Sequence, residues 1–129
     1  MKPDPVDAAI EKLSAVQPGT AEAQKAYAAA LSAKANRLVA KAAKLIDHHR
    51  LSDLCPKMAE ALGRLMERGA DADKGCVAML AIARALVNLD HDDADVFLRG
   101  MRHVQKEASW GPPVDTAVEL RATCAMGLA

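Results

Sequence analysis

Aromatic residues are almost missing from this chain: Tyr27, Phe97 and Trp110 are its only three. β-Sheets draw heavily on aromatic and β-branched side chains, whereas Ala and Leu dominate here. Ala and Leu are strong helix formers, and their side chains suit helices that pack closely on one another. We therefore expect an all-α fold and predict no strand.

Cysteines are also few, and they show no pairing pattern. Cys55, Cys76 and Cys124 are odd in number, have no CxxC spacing, and each lies among apolar residues. That context is typical of free, buried cysteines in a reducing compartment. We expect a cytoplasmic protein that needs no disulfide, metal or cofactor, because a chain of this length can bury a sufficient core.

An excess of charge of either sign is missing as well. Seventeen Lys and Arg residues balance seventeen Asp and Glu residues, so the strong basic field of a general phosphate-binding protein is absent. Nucleic acid is therefore not the expected partner. The balance hides an asymmetry, since residues 1–68 contain eleven basic and eight acidic residues and residues 69–129 contain six and nine.

Long apolar runs are missing too. None approaches the roughly 18 residues that a membrane span requires, and the N-terminus has no apolar leader segment. We expect a soluble protein without a membrane partner.

What the sequence does contain is a repeat with a period of about 41 residues. Each copy places apolar and small residues at the same spacing. A period of this length is typical of two-helix repeats, which bury their apolar faces by stacking on a neighbour. The aligned positions are Leu38, Ala42, Ala43, Leu45 and Ile46; Met79, Ala83, Arg84, Leu86 and Val87; and Leu120, Cys124, Ala125, Gly127 and Leu128.

Residues 120–128, which read Leu-Arg-x-x-Cys-Ala-x-Gly-Leu, resemble the core of HEAT and HEAT-like repeats. In that core an apolar residue and an Arg precede several small residues and a Leu. The resemblance covers about residues 20–129 and implies a HEAT-like α-solenoid of about three antiparallel helix pairs. It also implies that the second helices line a concave surface that holds proteins or, less often, nucleic acid.

Turn and cap signals predict one domain, residues 1–129, with an N-terminal helix followed by three helix pairs. We expect a break within residues 32–36, a central buried helix over residues 74–89, and a sixth helix over residues 94–107. Gly100 is expected to permit a close contact of that sixth helix. The predicted ranges are 1–17 for the first helix and 20–48, 51–89 and 94–129 for the pairs.

The expected binding surface lies on the second helices. Lys34, Arg37, Lys41, Lys44 and His48 share one arc of the third helix and could hold phosphates or an acidic partner. The alternative is a solvated face whose Lys stems cover apolar surface. The predicted binding residues are Arg37, Lys41, Lys44, Arg84 and Trp110.

Trp110 stands in a Trp-Gly-Pro-Pro turn. An exposed Trp is a common anchor of protein interfaces, and we place this one at the rim of the binding surface. The alternative is a Trp folded over the neighbouring helix.

Two polar groupings could suggest a metal. Residues 90–95 bring four carboxylates and an imidazole into one turn, which could attract a divalent cation. We prefer helix capping, because the spacing matches no calcium loop and Asp is common before a helix. His103 and Glu107 are one helical turn apart, and without a third ligand we expect a surface pair. No metal site is therefore predicted.

Motifs for catalysis are not found: there is no nucleophile elbow, glycine-rich phosphate loop or cysteine signature. We therefore predict a non-catalytic protein-interaction or assembly scaffold. The alternative is a nucleic-acid-binding or base-excising enzyme, since HEAT-like scaffolds include alkylpurine DNA glycosylases and phycobilin lyases. Trp110, Asp115 and Arg121 would be its residues to test, and a salt-dependent DNA gel shift would separate the two readings.

The last helix stops within its apolar pattern, at residues 127–129. Terminal repeats usually have a polar outer face. Either the chain is a piece of a longer protein, or something covers this face, and self-association through the C-terminal helix is our hypothesis.

Overall fold

The computed structural model describes residues 4–129, which form seven α-helices and one short hairpin. The predicted all-α class is confirmed. Strands β1 (Lys106–Glu107) and β2 (Val114–Asp115) are two residues each and pair antiparallel. The helices are α1 (Pro5–Ala15), α2 (Ala21–Leu31), α3 (Asn36–His48), α4 (Cys55–Arg68), α5 (Val77–Asn88), α6 (Ala94–Met101) and α7 (Val118–Gly127).

Side-chain caps fix the starts of the first two helices. Asp4 accepts a hydrogen bond from the backbone N–H of Val6 at 2.8 Å, and Pro5 occupies the first helical position. The hydroxyl of Thr20 accepts from the backbone N–H of Ala23 at 3.0 Å. Both caps satisfy backbone donors that the first turn of a helix leaves free.

The central helix of the molecule is α5, which packs against α3, α4 and α7. Met79, Ile82 and Ala83 on this helix are fully buried. The prediction of a central buried helix is therefore confirmed. α5 begins at Val77 rather than at residue 74, because residues 74–76 form a 3₁₀ turn.

The other contacts arrange the helices in two layers. α2, α4 and α6 are neighbours in one layer, and α3, α5 and α7 are neighbours in the other. The sequential pairs α2–α3, α4–α5 and α6–α7 pack across the layers, and α1 packs on α2 and α3. The predicted break within residues 32–36 is confirmed. As a result, α1 and α2 lie at one end of the stack, and α6 and α7 lie at the other.

The 41-residue period is visible in side-chain packing. Ala42, Ala83 and Cys124 occupy equivalent positions of α3, α5 and α7, and all three are fully buried. The side chain of Asn88 donates a hydrogen bond to Asp47, 41 residues earlier, at 2.9 Å. Equivalent positions of α3 and α5 therefore lie side by side.

The sixth helix is shorter than predicted. α6 ends at Met101, and the chain then enters the hairpin, where no strand was predicted. His103 and Glu107 consequently do not sit one helical turn apart, and the predicted surface pair is wrong. The cause is tertiary: Gln105 and Glu107 form hydrogen bonds with residues 73–75 of another part of the fold.

Two glycines allow α6 and α7 to approach each other closely. A Cβ atom on Gly100 would clash with the Sγ of Cys124, and one on Gly127 would lie 2.7 Å from the ring of Phe97. The predicted role of Gly100 in a close helix contact is confirmed. None of the seven helices has both the length and the apolar character to cross a bilayer.

Candidate functional site

Both predicted arginine contacts join neighbouring helices. The Nη2 of Arg37 on α3 lies 3.0 Å from Oδ1 of Asp7 and 3.5 Å from Oδ2 of Asp4. The Nη2 of Arg84 on α5 lies 3.2 Å from Oε2 of Glu119 on α7. These side chains are about half exposed or more, so each ion pair contributes at most about 1 kcal/mol. The positive charge of each arginine is locally balanced.

The two predicted lysines differ from the arginines. Lys44 is exposed and Lys41 is half-buried on α3. Neither forms an ion pair with another residue in the range 4–129. Their ammonium groups are therefore free to meet an acidic group from outside the chain.

Trp110 stands at the tip of the hairpin, in the loop between β1 and β2. Its relative exposure is 108%, so no other side chain of the described residues covers the indole. The loop itself is restrained, because the hydroxyl of Ser109 donates to the carbonyl of Pro112 at 2.7 Å and accepts from the N–H of Gly111 at 3.3 Å. Of the two predicted alternatives, the exposed one is confirmed.

The base of the hairpin is tied to the N-terminus of α5. Oε2 of Glu107 accepts hydrogen bonds from the Thr116 hydroxyl, from Nε2 of Gln105 at 2.9 Å and from the N–H of Gly75 at 2.8 Å. These three donors lower the pKa of Glu107. The Nε2 of Gln105 also donates to the carbonyl of Asp73 at 2.8 Å. The hairpin is therefore anchored in the core.

A second tie connects the hairpin to α7. Oδ2 of Asp115 lies 2.6 Å from Nη2 of Arg121, and Oδ1 accepts from the N–H groups of Gln105 and Ala117. Nη1 of Arg121 donates to the carbonyl of His103 at 2.8 Å. The Arg121 hydrogen bond, followed by those two N–H groups, holds the pKa of Asp115 well below its usual range. Two of the three residues named for base excision thus pair with each other.

Asp73 is a buried cap that precedes α5. Its carboxylate is fully buried and accepts from the N–H groups of Ala78 at 3.0 Å and Met79 at 2.7 Å, and from the side chain of Asn36 at 2.9 Å. A buried carboxylate is tolerated where several donors and a helix N-terminus surround it. The sequence feature that could have predicted this cap is an acidic residue four positions before Val77, the first residue of α5.

All three cysteines are free and buried, as predicted. Cys76 precedes α5 with φ of 55°, in the left-handed region, and its Sγ lies 3.6 Å from the hydroxyl of Thr116. Burial raises the pKa of the Cys55 and Cys76 thiols and raises that of Cys124 to about 11. Thiols of this kind are protonated and covered at neutral pH, which suits a structural role.

The acidic turn serves as a helix cap. Oδ1 of Asp93 accepts from the backbone N–H of Asp95 at 3.0 Å at the start of α6. The preferred capping role is confirmed for Asp93. Within residues 4–129, no three His, Cys, Asp or Glu side chains are placed to share a metal ion.

The outward face of α7 is apolar and exposed. Val118 is 58% exposed, Met126 is 65% exposed, and Ala122 between them is exposed as well. The positions of α5 that correspond to Ala122 and Met126 are Ala81 and Ala85, which are only 8% and 0% exposed. Two positions that are buried on α5 are therefore exposed to solvent on α7, the last helix.

A groove between α1 and α2 has a volume of about 440 Å³. Its floor is made of small and aliphatic side chains, and its two charged members are Lys12 and Glu22. The groove was not predicted. The sequence feature that could have indicated it is the alanine-rich composition of α2, because alanine side chains leave space beside the helix. The apolar lining residues include Ala9, Leu13, Val16, Ala26, Ala29 and Leu38.

No protein-family model, curated protein or solved structure matches this chain. The similarity to HEAT repeats therefore remains a likeness of pattern.

Proposed function

We propose that this chain is a non-catalytic protein-interaction or assembly module, built as a HEAT-like solenoid of helix pairs. The two helix layers and the side-by-side packing of positions 41 residues apart support the solenoid. A cytoplasmic location stays a prediction, with which three free, buried thiols agree.

The observation that carries the proposal is the exposure of Trp110. The indole is the largest side chain in the molecule, and it stands fully in water on a hairpin that is anchored at its base. Covering such a side chain removes roughly 200 Å² from water, which is worth about 5 kcal/mol before the cost of association. Trp side chains in this position are characteristic anchors of protein interfaces.

The second helices would add polar contacts. Lys41 and Lys44 have no ion pair among residues 4–129, and an acidic partner segment is the group they fit. Arg37 and Arg84 would have to exchange their present ion pairs for contacts with a partner. The exposed face of α7 is a further surface through which the chain could self-associate.

A photo-reactive benzophenone amino acid in place of Trp110 tests the proposal in cells of the source organism. We expect a discrete cross-linked product after irradiation, identified by mass spectrometry. The matched control carries the same group in place of Glu60, which is exposed on α4 and outside the proposed surfaces.

A product that is equally abundant from both positions, or from neither, would contradict an interface at Trp110. Products that contain the chain itself and products that contain another protein both support the module, and they are told apart by mass.

A further inference from the structure

We infer that a cleft between the C-terminal ends of α4 and α6 binds a phosphate monoester, which is held by the guanidinium groups of Arg99 and Arg102 and by the imidazole of His103. The cleft has a volume of about 310 Å³, and Met66 and Glu67 complete its lining. No residue of α3, α5, α7 or the hairpin loop lines it. The site therefore adds a ligand to the proposed function and does not depend on it.

Arginine is concentrated at this place in the fold. Two of the chain's eight arginines lie in residues 64–68 and two lie in residues 99–102, and α4 packs against α6. Glu67 is the single acidic residue of those two segments. A chain without net charge therefore has a local excess of positive charge here, and such an excess attracts anions.

The two arginines of the cleft have no carboxylate partner. Both side chains are exposed, and neither forms an ion pair within residues 4–129, although Glu67 lines the same cleft. Arg37 and Arg84, by contrast, are each paired with an acidic residue. The N–H groups of Arg99 and Arg102 are therefore available to an anion from outside the chain.

Arg99 is seated on a glycine of the facing helix. A Cβ atom on Gly63, which is buried on α4, would lie 3.0 Å from Nη1 of Arg99 and 3.6 Å from its Cζ. The guanidinium group thus lies against the backbone of α4, in space that a side chain at residue 63 would occupy. A group that is held before binding loses less entropy when it contacts a ligand.

The imidazole of His103 is oriented by the hydrogen bonds at the base of the hairpin. Both N–H groups of the Gln105 amide are used, one by the carbonyl of Asp73 and one by Oε2 of Glu107. Oε1 of Gln105 must therefore accept, and Nε2 of His103 donates to it at 2.9 Å. Nδ1 has no hydrogen-bond partner within residues 4–129 and is open to solvent. It is the ring nitrogen that meets the ligand.

The donors of this cleft suit a phosphoryl group better than a carboxylate. A phosphate monoester offers three terminal oxygens and nearly two negative charges, which can engage two guanidinium groups and an imidazole together. A carboxylate offers two oxygens and one charge, and the repulsion from Glu67 would offset much of its attraction. The organic part of the ester would lie against the side chain of Met66, the apolar member of the lining.

Titration of the full chain with inorganic phosphate tests the site, followed by the NMR signals of its four imidazole rings. The pH is held constant, and sodium chloride keeps the ionic strength constant. We expect a saturable shift of the His103 signals in the millimolar range of phosphate. The signals of His48, His49 and His91, which lie outside the cleft, should stay where they are.

Charge variants on the cleft and beside it separate a site from a general field. Arg99→Gln and Arg102→Gln should each raise the Kd for phosphate about tenfold. Arg68→Gln is the matched control, because Arg68 is exposed on α4 and does not line the cleft. Glu67→Gln removes the repulsive carboxylate and should lower the Kd. All four residues are exposed, so the changes are compatible with folding, which circular dichroism checks.

Two further probes distinguish the molecules that could carry the phosphoryl group. Glycerol phosphate stands for a small ester, and an Ala-phosphoserine-Ala peptide stands for a phosphorylated protein, with the unphosphorylated peptide as control. Tighter binding of glycerol phosphate than of inorganic phosphate supports a small ester as the ligand. Tighter binding of the phosphopeptide supports a phosphorylated partner.

Three results would overturn the inference. The first is the absence of a saturable His103 shift with inorganic phosphate and with both esters. The second is a shift that persists unchanged in the Arg99→Gln and Arg102→Gln variants. The third is a loss in Arg68→Gln as large as the loss in those variants, which would indicate a general field. None of these results affects the cellular cross-link at Trp110, so the proposed function is tested separately.

Discussion

The two ends of the stack are held together by different kinds of interaction. At the first end, α1 and α2 are defined by local caps such as Thr20 and by apolar packing around Leu13. At the second end, polar side chains from distant segments converge, as at Glu107, and Gly100 brings α6 against α7. Local caps and apolar packing define the first end, where the tertiary ion pair of Arg37 with Asp7 is exposed, whereas buried tertiary hydrogen bonds hold the second end. Mutations should therefore be costlier at the second end.

The largest effect is expected for Asp73→Ala. The change leaves two backbone N–H groups of α5 and the side chain of Asn36 without their buried acceptor. We expect a loss of about 3 kcal/mol in the free energy of unfolding, measured by urea denaturation. Asp73→Asn, which keeps one oxygen acceptor, should recover part of that loss, and equal losses for both variants would contradict the capping role.

Gly100→Ala should have the next largest effect. The added methyl group meets the Sγ of Cys124, so α6 and α7 have to separate, at a net cost of about 2 kcal/mol. Gly111→Ala is the control, because a Cβ there meets nothing within 4 Å. Circular dichroism during thermal unfolding compares the two variants, and a Gly100→Ala protein as stable as the control would show that the helices are not in close contact.

Thr20→Ala probes the first end. It removes a single exposed cap from α2, so we expect a loss of about 1 kcal/mol in the free energy of unfolding. The same urea titration measures it, with Ser14→Ala on the exposed side of α1 as a control. The contrast between the two ends would disappear if Thr20→Ala were as damaging as Gly100→Ala.

The smallest expected effect is a change in the pH dependence of the free energy of unfolding. It should arise only from substitutions at the second end. The pKa of Glu107 is lowered in the folded state by donors from Thr116, Gln105 and Gly75. Its stabilisation is therefore complete above the unfolded pKa of about 4.3 and is lost as the pH falls through the folded pKa. Glu107→Gln should flatten the decline of the urea midpoint below about pH 5.

Thr20→Ala should leave that pH dependence unchanged, because the Thr20 hydroxyl does not titrate in this range. A Glu107→Gln profile that remains parallel to the wild type would assign the acid sensitivity to other carboxylates, with Asp115 the next to test.

The same difference explains what could be predicted from the sequence. Helix periodicity and cap residues predict α1 and α2, the break before Asn36 and the buried helix α5. The hairpin was missed, because Gln105 and Glu107 continue a helical pattern and are drawn out of it by groups 32 residues away. Trp110 was identified as a candidate anchor, but its full exposure follows only from that hairpin.

The groove could not be predicted for another reason. Alanine signals a helix that packs closely, and it equally signals a helix with too little side-chain volume to fill the space beside its neighbour. Whether α2 packs closely or leaves a groove depends on the angle between α1 and α2. The sequence pattern of either helix alone does not determine that angle.

The three buried thiols can also serve as chemical probes of local unfolding. Cys55 begins α4, Cys76 precedes α5 and Cys124 lies on α7 under Gly100, so each reports on a different contact of the stack. A thiol reagent can modify each one only when that contact opens, so three labelling rates would give three local opening free energies. The native chain thus contains, without any engineered probe, the means to establish the order in which its layers come apart.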